Sequence, residues 1–110
     1  MEEFLVARFD VYINPSSRAD ITPYLLDVQS DLLDGLDTRT DIPLRALRHF
    51  PKVKLSTRLT PVFVINGEEC LLETPKFGAI PTRLLKSPVA SLQAQHDQVL
   101  SALDFLFQGY

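Results

Sequence analysis

Apolar and polar residues alternate over Phe9-Asp10-Val11-Tyr12-Ile13, the period of a strand with one face buried. Asn14-Pro15-Ser16-Ser17 breaks the pattern, and the chain stays loop-like through Ile21 to Pro23. Tyr24-Leu25-Leu26-Asp27-Val28 is a short apolar run that predicts a second strand. Asp34-Gly35 and Asp37-Thr38 read as turns ahead of a strand ending near Ile42-Pro43-Leu44. Thr60 to Ile65, then Asn66-Gly67, then Glu68 to Glu73 predict a hairpin, because a type I′ turn needs positive φ at both central residues. Pro75, Gly78 and Pro81 mark a further loop, with a short strand expected near Arg83-Leu84-Leu85. After that the period changes. Leu92, His96, Val99, Leu103 and Leu106 fall on one helical face, with Ser91 or the earlier Ser87-Pro88 as candidate starts and Gly109 as the stop. The pattern is mainly β with one C-terminal helix.

No repeat or linker interrupts the 110 residues, which predict a single domain. Hydrophobic residues at 45% and charged residues at 23% exclude a disordered tail, a collagen-like repeat and a coiled coil. Eleven basic against fourteen acidic side chains give a net charge of −3, opposite in sign to a general nucleic-acid binder. No apolar run reaches the ~20 residues of a membrane span, and Met1-Glu2-Glu3-Phe4 is acidic where a signal peptide is basic. With one cysteine, Cys70, no internal disulfide can form, and the expected compartment is the cytoplasm. So small a domain gains stability from a symmetric partner, which predicts a homodimer.

Catalytic chemistry is hard to assemble. His49 and His96 lie on different predicted elements, and neither stands in metal-ligand spacing. Cys70 sits among carboxylates that would raise its thiol pKa, so it reads as structural. Four glycines form no phosphate loop. Asp27, Asp31, Asp34, Asp37 and Asp41 are too widely spaced for a calcium loop and read as a solvated polar edge. Charge is uneven along the chain. Between Arg39 and Arg58 six basic residues face Asp41 alone, an excess of five that leaves −8 elsewhere. Such a region could receive an acidic peptide or RNA, though taken alone an ordinary charged surface is the favoured reading. These residues imply a binding protein, with no metal, cofactor or small-molecule ligand.

A resemblance makes this concrete. Asp27-Val28-Gln29-Ser30-Asp31-Leu32-Leu33-Asp34 is similar to the CcdB family of toxins. Collinear likenesses follow at Ile42-Pro43-Leu44, Leu59-Thr60-Pro61-Val62, Ile80-Pro81 and Ala102-Leu103-Asp104-Phe105-Leu106, and Phe9-Asp10-Val11-Tyr12 fits the family's opening. The similarity runs from about Arg8 onward and leaves residues 1–7 as an expected N-terminal extension of a domain spanning 1–110.

The resemblance implies an SH3-like barrel of antiparallel strands with a C-terminal helix, shared with the MazF/Kid ribonuclease toxins. It implies a homodimeric, non-enzymatic toxin that binds the gyrase A subunit and traps the cleaved gyrase–DNA complex. A CcdA-like antitoxin would neutralise it, and operator DNA would be bound only by the two together. Gyrase contacts are implied at Leu32, Leu33, Asp104, Phe107, Gln108, Gly109 and Tyr110. Antitoxin contacts are implied at Arg18, Arg45, Arg48, Lys52 and Lys54. One departure stands out: some members end in Trp-Gly-Ile where this chain has Gln108-Gly109-Tyr110. Losing an aromatic anchor costs an interface about 2 kcal/mol. The alternatives are a retargeted or inactive family member and, further off, a MazF-like ribonuclease with His49 and Arg45 or Arg48 as base and cation.

Overall fold

The computed structural model describes residues 6–49 and 56–109. Its seven strands are β1 (Asp10–Ile13), β2 (Tyr24–Asp27), β3 (Thr38–Ala46), β4 (Val62–Ile65), β5 (Glu68–Leu72), β6 (Gly78–Pro81) and β7 (Ala90–Ser91), followed by helix α1 (His96–Gln108). All pairings are antiparallel, in the order β4-β5-β3-β2-β1-β7, with β6 added on β3. The sheet is nearly closed into a barrel, as expected for the fold class. No helix among the described residues is long and apolar enough to cross a membrane.

The nine-residue β3 is the spine. Along one side Asp41 to Leu44 pair with β2. Along the other, Thr38 to Asp41 pair with β6 and Leu44 to Ala46 with β5. Directly opposed residues of antiparallel strands project to the same side. Val11, Leu26, Ile42, Leu44 and Leu72 therefore share one face and form the main core with Phe9, Phe63, Ile65, Cys70, Leu92 and Val99. The opposite face carries Tyr12, Leu25, Asp27, Arg39 and Asp41. A smaller cluster of Val6, Tyr12, Leu25 and Leu85 covers part of it. Val6, within the stretch expected to be an extension, is buried there.

The Asn66-Gly67 turn has φ of 50° and 84°, the positive values that its hairpin needs. Two expectations change. Gly78 to Pro81, read as loop, form β6, while Thr82–Leu84, near the expected strand, form a 3₁₀ turn. Pro81 is tolerated because β6 pairs on one side only, so its missing N–H interrupts no second ladder. Helix α1 begins at His96, after a 3₁₀ turn over Gln93–Gln95. Ser91 lies ahead of that turn, its Oγ accepting the Gln93 N–H at 3.1 Å, so it does not cap α1 itself. Gly109 stops the helix as expected, left-handed at φ 80° with its N–H donating to the Phe105 carbonyl at 3.0 Å.

Candidate functional site

Leu32 and Leu33 lie on a 3₁₀ turn (Asp31–Leu33) just beyond β2. Ser30 Oγ accepts the Leu32 N–H at 3.2 Å, and the Leu33 N–H donates to the Ser30 carbonyl at 3.0 Å. Held this way the turn points its side chains outward: Leu32 is 93% exposed, and Leu33 and Leu36 are exposed too. Two adjacent solvated leucines have a hydrophobic cost that contact with a partner removes.

The far end of α1 makes a second apolar point. Phe107 is 64% exposed, and its ring meets that of Phe77 edge-on, centroids 5.4 Å apart. Phe77 follows a 3₁₀ turn (Thr74–Lys76) that packs against α1. The sequence reading missed Phe77, whose only signal was an aromatic residue in a segment taken for a loop. Asp104, Gln108 and Gly109 are exposed around Phe107. Tyr110 lies outside the described residues. Among the described residues, no hydrogen bond, ion pair or ring contact joins the Leu32–Leu33 turn to the helix end.

Of the basic residues, Arg18 and Arg45 come together in a groove of about 330 Å³. Asn14, Ser16, Ile21, Thr22, Leu25, Pro43, Glu73 and Lys76 complete its walls. Arg18 is brought there by the β1–β2 loop, which Asn14 pins by donating to the Thr22 carbonyl at 2.8 Å. Glu73, nearly buried, lies 4.0 Å from Arg45 and 3.1 Å from Lys76. Lys76 was not foreseen. Arg48 stands apart, paired with Glu68 in a different depression lined by Leu47, Gly67 and Glu69. Lys52 and Lys54 lie outside the described residues.

The basic excess read along the sequence is therefore not one surface. Arg39 is buried, and Arg58 lies across α1, its guanidinium 5.1 Å from the Phe105 ring centroid and its Nε donating to Ser101 Oγ at 3.0 Å. Arg39 clamps Asp27 through Nε at 3.0 Å and Nη2 at 2.5 Å, and Nη2 also reaches the Gln29 carbonyl at 3.2 Å and Asp31 Oδ1 at 3.4 Å. This overturns the solvated-edge reading for two of its acids, since Asp27 and Asp41 are both fully buried. Burial, reinforced by Asp27, pushes the Asp41 carboxyl up to about 8, with Arg39 opposing.

The histidines stay local. His96 Nδ1 is 2.8 Å from the Gln93 carbonyl and Nε2 is 3.1 Å from Asp97, while Arg45 meets His49 through the backbone carbonyl, at 3.1 Å. Burial also raises the Cys70 thiol, with Arg48 lowering it in part. The upward direction agrees with the structural role expected of Cys70, though burial rather than the neighbouring carboxylates is the cause.

A family model described as CcdB protein matches residues 8–109, a span that takes in every element from β1 to α1. The chain belongs to the CcdB family, the toxins of toxin–antitoxin modules.

Proposed function

We propose that the chain acts as a homodimeric toxin that poisons DNA gyrase by protein–protein contact, through the outward Leu32–Leu33 turn and the Phe107 end of α1. The observation that carries this reading is their exposure. Apolar side chains that the family resemblance assigns to gyrase contact stand in solvent on well-formed local structure, free to be covered. Phe77 adds a second ring to the helix end, where the chain has Gln108 in place of the tryptophan of some relatives. The Arg18–Arg45–Lys76 groove suits the acidic segment of a CcdA-like antitoxin, ordered on binding along a positive wall.

A plasmid cleavage assay with gyrase from the protein's own host and ATP tests the reading. Full-length protein is expected to accumulate gyrase-dependent linear DNA, and a chain ending at Phe107 to lose that effect. Phe107→Ala should weaken gyrase binding by about 2 kcal/mol, roughly thirtyfold. Absence of cleavage with the full-length protein would mean that the fold is kept while its target has changed.

A further inference from the structure

We propose that Asp41 is folded into the sheet as a neutral acid that donates its proton to Asp27, and that ionisation of Asp41 unlatches the Leu32–Leu33 turn. The geometry begins with the register. Asp27 of β2 and Asp41 of β3 are directly opposed, so both carboxyl groups project to the same face of the sheet. Both are fully buried. Two adjacent acids and one guanidinium, all buried, leave one negative charge too many, and sharing a proton removes it.

The unmatched atoms tell the same story. Arg39 gives Nε and Nη2 to Asp27, while its Nη1 and both Asp41 oxygens are buried without a hydrogen-bond partner. A proton on Asp41 gives that carboxyl a donor and Asp27 a third bond beside the two from Arg39. Among the described residues, Arg39 is the cation that acts on Asp41. On β1, Asp10 and the Tyr12 phenol lie on the same side, Asp31 approaches from the turn, and β6 (Gly78–Pro81) has no charged residue. Burial first, and then the neighbouring carboxylates, push the Asp10 carboxyl upward and the Tyr12 phenol up to about 12, so this face resists negative charge generally.

The link to the turn runs through Arg39 and Gln29. Arg39 Nη2 holds both the Gln29 carbonyl and Asp31, the first residue of the turn. The Gln29 amide donates to the Leu33 carbonyl at 3.1 Å and to the Thr38 carbonyl at 3.3 Å, while its Oε1 accepts the Thr40 N–H at 3.1 Å. When Asp41 loses its proton to water or hydroxide, Arg39 faces a third carboxylate beside those of Asp27 and Asp31. Turning toward Asp41 draws Nη2 from Asp31 and the Gln29 carbonyl, and the turn loses its tie to Arg39, keeping the Arg8 N–H on Asp31 at 2.9 Å and the Gln29 amide on Leu33.

The sign follows from linkage. The folded chain keeps a proton that the unfolded chain releases in the ordinary carboxylate range. The stabilisation is complete below about pH 4, falls as pH rises and is gone above about pH 8, changing the folded-to-unfolded ratio by up to about tenfold per pH unit.

Carboxyl-carbon NMR titration of the full-length protein tests the first half of the proposal. Asp41 is expected to titrate near pH 8; an Asp41 inflection near 4 would overturn it. Asp41→Asn, which keeps shape and neutrality, is expected to flatten the fall in urea stability between pH 5 and 8. An unchanged slope in that variant would also overturn the proposal. Amide hydrogen-exchange protection at Leu32 and Leu33, corrected for intrinsic rates, should drop above pH 8 in the parent and hold in Asp41→Asn. Equal protection across pH in the parent would refute the latch. Should the variant fail to fold, the carboxyl titration and exchange in the parent still decide, and neither involves gyrase.

Discussion

At Arg39 a full positive charge is enclosed in the sheet, and the two oxygens of Asp27 are what make its burial tolerable. Removing one member of a buried ion pair is far costlier than the net worth of the pair, because the other charge is left in a medium that cannot solvate it. Arg39→Met is therefore expected to lower urea-derived stability at pH 7 by about 3–5 kcal/mol, with the loss shrinking as acid protonates the abandoned carboxylates. A loss below about 1 kcal/mol would place this pair with the weak surface bridges. Little of this is legible one residue at a time. Asp27 counts among a series of spaced acids and Arg39 stands between two threonines with Asp37 and Asp41 beyond, so each reads as part of a solvated stretch until strand pairing sets Asp27 against Asp41. Leu32 and Leu33 are the opposite case. Flanked by Asp31 and Asp34, they already look misplaced for a buried segment, and they are exposed.

Among elements, the β4–β5 hairpin was plain from Asn66-Gly67, since few other dipeptides accept two positive φ values. β6 was hidden because Gly78 and Pro81 disfavour strands in isolation, and only pairing along β3 overrides that preference. The basic groove is likewise a product of assembly. Arg18 comes from the β1–β2 loop, Arg45 from β3 and Lys76 from the 3₁₀ turn after β5. Arg18 and Lys76 are exposed, so reversing both charges should spare the fold while removing the groove's attraction for an acidic segment. Arg18→Glu with Lys76→Glu is expected to weaken cognate antitoxin binding at least about tenfold in a calorimetric titration, with a smaller deficit at high salt. Unchanged affinity with an unchanged melting temperature would move the antitoxin site elsewhere.

For the whole molecule, the resemblance supplied the barrel, whereas the strand order could not be read from local pattern because it rests on distant pairings. The proposed function rests at this scale on symmetry. One chain offers one Phe107 end, and a two-fold dimer offers a matched pair. Sedimentation equilibrium is expected to return about twice the 12.4 kDa of the chain, and a 12.4 kDa species throughout the micromolar range would remove that paired presentation. The pairing of β1 with β7 has a further consequence. Asp10 meets Ser91 across 81 positions of sequence, and α1 comes later still. On the ribosome, with domains folding as units during synthesis, the first strand waits with one edge open until nearly every other strand has emerged. The surface proposed for gyrase at the end of α1 is made after the strands on which it rests, so an interrupted translation product carries the groove's first wall without the Phe107 end.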